Sequence, residues 1–239
     1  MRQGAKLAVF VLVLGLLFQG SDNSEAIQDE TYSDREQALK LRTLDEAIGL
    51  DPNNAEAYYN RGRAYHHSEQ YQRAVDDYNR AIGLNPKHAD AYSGRGAAYG
   101  QLGQYQRAVE DCNQAIRLNP NSSRAYYNRG SAYGRLGKWG QAIEDCDQAV
   151  RLDPKSADAY TTRGIVHGQL GQYERALEDY DQAIRINPKY VYAYSGRGAA
   201  HYNLGVFDRA CNDWKKACEL GVCDGLNWAK RKGYCLSIQ

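Results

Sequence analysis

Residues 55–88 read AEAYYNRGRAYHHSEQYQRAVDDYNRAIGLNPKH, and this stretch decides the fold because close copies of it follow. The next block, 89–122, reads ADAYSGRGAAYGQLGQYQRAVEDCNQAIRLNPNS. Further copies fill 123–156, 157–190 and 191–224, so the chain repeats five times with a period of 34 residues. A fixed period of this length is typical of proteins in which each copy is one structural unit that stacks on its neighbours.

Each block contains two apolar stripes at helical spacing. In block 55–88 they are Tyr58, Gly62 and Tyr65 at positions 4, 8 and 11, and Ala74, Tyr78 and Ala81 at positions 20, 24 and 27. Spacings of three and four residues place each set on one helix face. Glycine at position 15 of four blocks indicates a tight turn, and proline at position 32 of four blocks ends the second helix. Each block is therefore predicted to be a helix–turn–helix.

This pattern resembles the tetratricopeptide repeat family over residues 55–217, because the family's small and large signature positions are those two stripes and Pro86. The resemblance implies an all-α fold, a right-handed superhelical solenoid of antiparallel helix pairs. The predicted order is an N-terminal half-repeat at 34–54, five repeats at 55–88, 89–122, 123–156, 157–190 and 191–224, and a C-terminal capping helix at 225–239.

Position 7 departs from the family pattern, since it carries arginine where leucine is usual. Position 23 is aspartate in every block. Facing positions of an antiparallel hairpin have a constant sum, and this rule places position 7 near position 23 and glycine at position 8 opposite position 24. We expect an ion-pair ladder, which the paired aspartates favour over a row of ligand-binding arginines. The ladder residues are Arg61, Arg95, Arg129, Arg163 and Arg197, with Asp77, Asp111, Asp145, Asp179 and Asp213.

The start of the chain predicts export. Arg2 and Lys6 precede an apolar run, Leu7–Phe18, and polar and small residues follow, which is typical of a secretory signal peptide over 1–20. Residues 21–33 are expected to be a linker. The mature chain would then be periplasmic or secreted, without a stable membrane span. An uncleaved signal that anchors the protein in the membrane is the alternative.

Four cysteines cluster at the C-terminal end. Cys218 and Cys223 flank a predicted bend near Gly221, while Cys211 and Cys235 lie further out on the two arms. Of the three possible pairings, the nested one, 211–235 with 218–223, is favoured by this geometry. A zinc site is the alternative, but the close cysteine pairs typical of zinc sites do not occur here.

The sequence carries no motif for catalysis. Walker, zinc-protease and nucleophile-elbow patterns do not occur, and a formal net charge of +1 gives no electrostatic signature for nucleic acid. Cys112 and Cys146 fall on the buried stripe at position 24, where we expect unreactive thiols. We therefore expect a protein without enzymatic activity, cofactor or metal.

The tyrosines that the stripes do not use indicate a binding surface. Positions 2, 5, 9 and 12 lie about 100° from the packing stripe of the first helix, and in the family these positions line a concave groove that holds a partner's peptide or helix. The predicted groove residues are Tyr59, Asn60, Arg63, His66, His67, Arg124, Tyr127, Asn128, Arg135, Tyr190, Tyr192 and Tyr202. A floor of small residues lies between them, formed by Gly100, Gly134 and Gly168 at position 12 with Ala97 and Ser131 at position 9. The alternative is that these tyrosines only pack between repeats.

These features predict a monomeric scaffold that binds a protein or peptide partner outside the cytoplasm. An accessory subunit of an envelope enzyme, or a small-molecule binder, is one alternative. A self-assembling structural protein is another. Position 5 carries no lysine in any block, which disfavours the clamp that co-chaperone members of the family use for acidic C-terminal tails.

Overall fold

A computed structural model describes residues 27–235 of the chain, with side chains from residue 38 onward. The predicted signal peptide at 1–20 and the first part of the predicted linker lie outside the described residues. The described residues form twelve helices. They are α1 Ile27–Leu50, α2 Ala55–His67, α3 Tyr71–Leu84, α4 Ala89–Gln101, α5 Tyr105–Leu118, α6 Ser123–Arg135, α7 Trp139–Leu152, α8 Ala157–Gln169, α9 Tyr173–Ile186, α10 Val191–Asn203, α11 Phe207–Glu219 and α12 Asp224–Arg231.

The helices pair in the order that the repeat predicts, and the all-helical fold with its 34-residue period is confirmed. The two helices of a repeat pack together in α2–α3, α4–α5, α8–α9 and α10–α11, and each second helix also packs against the first helix of the following repeat. The chain falls into two compact units that meet in sequence between Lys138 and Trp139. We call them the N-terminal unit, with α1–α6, and the C-terminal unit, with α7–α12.

The turns after α1 and after the second helices of the first four repeats share a side-chain hydrogen bond that the spacing of apolar residues does not predict. Asn85 follows α3 and adopts an extended conformation, and its side-chain oxygen accepts a hydrogen bond of 3.0 Å from the Lys87 amide. Asp51, Asn119, Asp153 and Asn187 make the same bond to the residue two positions later. Because this side chain copies a backbone turn, it stops the helix together with the proline that follows it.

The turn inside each repeat needs a left-handed residue. Gly103 has a φ of +73°, a value that glycine adopts without steric cost, and the equivalent residues of the next three repeats are also glycines at positive φ. The first repeat has Glu69 there, at a φ of +56°. A side chain in this region is strained by about 1 kcal/mol, so the first repeat keeps the same turn at some cost.

Helix α1 begins at Ile27, earlier than predicted, so residues 27–33 belong to a helix and not to a linker. The segment has no apolar stripe, which is why periodicity missed it. It contains neither glycine nor proline before Gly49, and a chain without these residues can continue a helix once a packed turn has formed. That packed turn is supplied by the end of α1, which lies against α2.

The predicted ion-pair ladder is present, and it also joins successive repeats. Arg61 donates from Nε and Nη2 to both carboxylate oxygens of Asp77, at 2.8 and 2.7 Å, and from Nη1 to Asp45 of the preceding helix at 2.7 Å. The same double contact recurs at Arg95 with Asp111 and Asn79, at Arg163 with Asp179 and Asp147, and at Arg197 with Asp213 and Asp181. Such planar, two-bond contacts are strong and geometrically specific.

Arg129 completes the inter-repeat part of the ladder, because its Nη1 donates to Asn113 at 2.6 Å. Its pairing with Asp145 stays a prediction, since these two residues belong to different units. Each ladder arginine also lies over the tyrosine three residues before it, as Arg61 does over Tyr58 at 5.5 Å. This stacking gives the tyrosines at position 4 a second role besides burial of apolar surface.

The C-terminal cap is α12 and the residues that follow it, to Cys235. Trp228 and Leu226 of α12 pack beside Trp214 of α11. Disulfides join Cys211 to Cys235 and Cys218 to Cys223, which is the nested pairing. The outer bond closes a loop across 24 residues, so it restricts the unfolded chain as well as fixing the tail.

Candidate partner-binding surface

The first helices α2, α4 and α6 carry the predicted groove of the N-terminal unit, and Tyr59 on α2 is buried within it. Its side chain is only 5% exposed, because the ring packs against Tyr78 and His88 at centroid distances of 6.1 and 4.7 Å. Tyr59 therefore packs between repeats, which is the alternative that the sequence left open for these tyrosines. The same position is equally buried in three other repeats, as Ser93, Thr161 and Ser195, so position 5 belongs mainly to the repeat interfaces.

Arg124 ties α6 to the two earlier repeats. Its Nη2 donates to the Tyr59 hydroxyl at 3.1 Å and to Asp90 at 2.7 Å. His88 Nε2 lies 3.3 Å from a Glu56 carboxylate oxygen, although without the angle of a hydrogen bond. The acidic side chains at position 2 thus meet a polar side chain near the start of a following first helix: His88 before α4 for Glu56, and Arg124 of α6 for Asp90. Sequence reasoning missed Glu56, Asp90 and His88, and the signal was an acid at position 2 in three of the five blocks.

His66 lies at the end of α2, and it is neutral at physiological pH. Burial, together with the charges of His67 and Arg124, lowers the pKa of His66 to about 4. Its ring packs edge-on against Tyr71 at 5.2 Å, and Nε2 is buried without a hydrogen-bond partner among the described residues. His66 therefore contributes an uncharged polar atom to this surface, while the pKa of exposed His67 is lowered chiefly by partial burial.

The basic residues at the rim stand in water. Arg63, His67 and Arg135 are exposed, and the guanidinium of Arg63 lies 5.7 Å from the Tyr59 ring. Tyr127 is half-buried. The basic edge is thus the set of exposed basic side chains Arg63 and His67 on α2 and Arg135 on α6.

Two predicted groove residues turn toward the protein itself. The Asn128 side-chain amide donates to the carbonyl and the hydroxyl of Ser93, at 3.3 Å each, and Asn60 donates to Glu56 at 3.2 Å. Their amides thus join or brace helices. A partner could reach them only at the remaining carbonyl oxygen.

The floor of small residues is open at Gly100 in α4. A methyl group added there would meet no neighbouring atom within 4 Å. By contrast, one added at Gly94 or Gly96 of the same helix would stand 2.7 Å from Tyr78 or 2.9 Å from Cys112. Packing thus requires a glycine at positions 94 and 96 of the chain, but it does not require a glycine at position 100.

The C-terminal unit places its predicted groove tyrosines differently. Tyr190 donates a short hydrogen bond to Asp158 and meets Tyr192 edge-on at 5.8 Å, and Tyr192 is 39% exposed. Tyr202 lies among the aromatic rings of the cap, 5.1 Å from Trp228. Burial, with a hydrogen bond to Tyr234, raises the pKa of Tyr202 to about 12. The cap thus occupies Tyr202, and only the Tyr190–Tyr192 pair lies on the open surface.

The structure gives little support for reactive chemistry in the described part of the chain. Within residues 27–235, no group of three or more His, Cys, Asp and Glu side chains could hold a metal ion. Cys112 and Cys146 are buried free cysteines, and burial raises the pKa of the Cys146 thiol. A thiol in this state is a poor nucleophile. Of the helices described, none is long and apolar enough to cross a membrane.

Family comparisons agree with this geometry. The profile described as tetratricopeptide repeat matches residues 55–88, 89–122 and 123–156, and a second profile of that description matches 146–178. A profile described as TPR repeat matches 36–68 and 169–205. The chain is a tetratricopeptide repeat protein. Among curated protein sequences, none matches this tetratricopeptide repeat protein.

Solved structures share the fold of this tetratricopeptide repeat protein. MamA is 27% identical and aligns over 72% of this chain and 96% of its own, with a TM-score of 0.53. A thermophilic repeat protein of Thermus thermophilus is 22% identical over 76% of this chain and 98% of its own, at 0.67. YrrB, described as having an unusual peptide-binding site, is 21% identical over 79% and 97%, at 0.53.

Proposed function

We propose that this tetratricopeptide repeat protein is an interaction scaffold, and that its N-terminal unit binds a segment of a protein partner along α2, α4 and α6. The open floor at Gly100 carries the proposal. A glycine inside a helix costs up to about 1 kcal/mol relative to alanine, and no neighbour of Gly100 requires it. A partner side chain that rests there would explain why the position stays small.

The rim suggests the character of that segment. Arg63 and His67 are exposed on α2, and Arg63 has no carboxylate partner among the described residues. A segment that combines a bulky side chain with acidic residues would fill the floor and meet this basic edge. We propose that it binds as an extended peptide or a helix, and that the protein acts as a monomer without catalysis.

We also propose that the protein works outside the cytoplasm. Two disulfides in the cap and the signal-like residues 1–20 support this location, because disulfides persist in oxidising compartments. The proposal is tested by counting the reactive thiols of the six cysteines in the denatured protein, after recovery from its natural compartment. Two reactive thiols fit the proposal, and six contradict it.

A space-filling variant tests the binding surface. Gly100→Leu places a large side chain on the floor, and its Cβ atom would meet no neighbouring atom within 4 Å. We therefore expect helicity and thermal stability to be kept while partner capture from the extracytoplasmic fraction is lost. Gly83→Leu is the matched control, since Gly83 lies on the second helix α3 and an added methyl group there also meets nothing within 4 Å. Equal capture by the wild type and Gly100→Leu would contradict the proposal. Tyr59→Ala is unsuitable, because Tyr59 is buried.

A further inference from the structure

The turn between α10 and α11 differs from the same turn in every other repeat. Residues 102–105 and 170–173 read LGQY, 136–139 read LGKW and 68–71 read SEQY, whereas 204–207 read LGVF. The polar residue has become Val206 and the tyrosine or tryptophan has become Phe207. These two side chains are 40% and 41% exposed. The repeat whose turn carries Val206 and Phe207 thus presents these apolar side chains to solvent.

The chain's tail brings a third exposed side chain to this turn. Tyr234 is 41% exposed, and its ring stacks on Phe207 with 5.0 Å between centroids and 20° between planes. The Cys211–Cys235 disulfide holds the adjacent residue of the tail to α11. We call Val206, Phe207 and Tyr234 the C-terminal tip. Its side chains are held in place before any partner arrives, so little conformational entropy is lost on binding.

Basic residues adjoin the C-terminal tip. Lys230, Arg231 and Lys232 are all exposed in the last turn of α12 and just beyond it, and Tyr234 follows two residues later. Across 204–209 and 230–235 there are four basic side chains and one acidic one, Asp208. The tip therefore joins exposed aromatic and aliphatic groups to a cluster of positive charge.

We propose that the C-terminal tip and its three basic neighbours bind the surface of an anionic phospholipid bilayer. Aromatic rings favour the interfacial layer of a membrane, where Phe207 and Tyr234 would lie with Val206. Lys230, Arg231 and Lys232 would meet the headgroup phosphates. Apolar burial and attraction to anionic lipid add in such contacts.

The geometry favours a bilayer over other partners. A second copy of the chain would bring the same three positive charges against one another across a two-fold axis, which is repulsive. An acidic peptide usually follows a groove along helices, whereas these residues lie at the turn between α10 and α11 and at or just after the end of α12. Exposed side chains at such turns suit a broad, deformable surface.

Vesicle binding tests the proposal with the full chain. We expect tighter binding to vesicles of phosphatidylcholine with phosphatidylglycerol than to phosphatidylcholine alone, and a loss on the order of a hundredfold for Lys230→Gln/Arg231→Gln/Lys232→Gln. The control is Arg117→Gln/Arg151→Gln/Arg185→Gln, which removes three exposed basic side chains of second helices and the same charge. The control should bind like the wild type.

A second variant tests the apolar part. Val206→Gln with Phe207→Tyr writes the turn of residues 104–105 into this repeat, so the fold should be kept while binding weakens several-fold. Hydrogen exchange gives a local readout, because vesicles should protect the amides of 204–207 and 230–235, which binding through the apolar run Leu7–Phe18 would not do.

Equal binding of the triple glutamine variant and the wild type would overturn the proposal, as would vesicles that leave those amides unprotected. Protection of the same amides by poly-glutamate, without protection by vesicles, would assign the tip to an acidic protein instead. These outcomes are independent of the groove, because Gly100→Leu leaves the C-terminal tip unchanged.

Discussion

Tyr180 and Cys112 occupy the same position, 24, of two repeats, and they fill the space between helices in different ways. The Tyr180 ring is fully buried and lies against two glycines: an added methyl group would stand 2.9 Å from it at Gly164 and 2.5 Å at Gly196. Cys112 has such a glycine only in its own repeat, Gly96. A large residue here needs room from two helices, and a small one needs room from one.

The helix of the following repeat compensates for this difference. Position 6 of that helix is Gly94 after Tyr78 and Gly196 after Tyr180, but it is Asn128 after Cys112 and Thr162 after Cys146. We call position 24 with its two facing positions a seat. Protein interiors are close-packed, so the summed side-chain volume of the three positions in a seat is nearly constant. Because a seat includes residues of two repeats, this balance holds for the seat and not for a single repeat.

Removal of the Tyr180 ring should have the largest effect on stability. Tyr180→Ala leaves a cavity that both glycines border, so we expect the free energy of unfolding to fall by about 3–5 kcal/mol. Hydrogen exchange of α8, α9 and α10 measures this loss locally, which matters because repeat arrays often unfold in parts. The exposed Tyr192→Ala is the control and should cost less than about 1 kcal/mol. Equal effects of the two would show that the seat is not tightly packed.

Replacement of Cys112 by tyrosine should have the next largest effect on stability. Cys112→Tyr alone crowds Asn128, and overpacking of this kind costs about 1–3 kcal/mol. Adding Asn128→Gly supplies the second glycine, so the double variant should be more stable than Cys112→Tyr, although Asn128→Gly alone destabilises α6. Denaturant unfolding of the four proteins gives the coupling energy. A coupling of zero would contradict the idea that the two positions share one volume.

Substitution of Gly196, which faces Tyr180, should have a smaller effect on the free energy of unfolding, and the sign of this effect should depend on residue 180. Gly196→Ala should destabilise the protein by about 1–2 kcal/mol, since the clash with Tyr180 outweighs the gain in helix propensity. In a Tyr180→Cys background the clash disappears, and the same substitution should stabilise α10. Thermal unfolding of both pairs measures the reversal. Gly100→Ala, which meets no neighbour, should stabilise in either background.

The smallest effect concerns one oxygen atom. The Tyr180 hydroxyl is buried without a hydrogen-bond partner among the described residues, and a buried polar group in this state is unfavourable. Tyr180→Phe should therefore leave the fold intact and raise the free energy of unfolding by up to about 1 kcal/mol. A clear loss of stability in that variant would indicate that the hydroxyl is satisfied, for instance by a bound water.

Much of the architecture could be predicted because the same spacing of apolar, glycine and charged residues recurs in five blocks. The helix boundaries followed from the spacing of apolar residues, and the contact of Arg61 with Asp77 followed from facing positions within one hairpin. The contact of Arg61 with Asp45 did not follow, since it joins neighbouring repeats and the hairpin rule does not extend there. Asp or Asn at position 25 of the first four blocks was the available signal.

The candidate site was harder to predict, because the groove stripe lies only about 100° around the helix from the packing stripe. Tyr59 sits at the border of the two stripes, and its burial depends on His88 of the next turn. Ser93 and Thr161 at the same position are small, which is typical of a crowded interface and could have warned against an open groove. Tyr202 was lost to the cap, whose aromatic contacts no repeat periodicity describes.

Because the ladder contacts are the same between successive repeats, one internal repeat could follow another with its arginine contacts preserved. Each of the first four carries an arginine for the helix before it and an acceptor for the arginine after it, whereas the last repeat has Lys215 in place of the acceptor. Unequal recombination could therefore lengthen or shorten the interior of the array in steps of 34 residues. It could not extend the array past its last repeat without placing that lysine opposite an arginine.

The seats restrict which of these recombinants could survive. Loss of residues 89–122 would bring Tyr78 against Asn128, where the ring has no second glycine. Loss of 89–190 would bring the same ring against Gly196, which is the residue that already faces a tyrosine. The history of arrays like this one is thus constrained by volume as well as by period, and descendants should lose or gain repeats only in combinations that keep each large side chain beside its glycine.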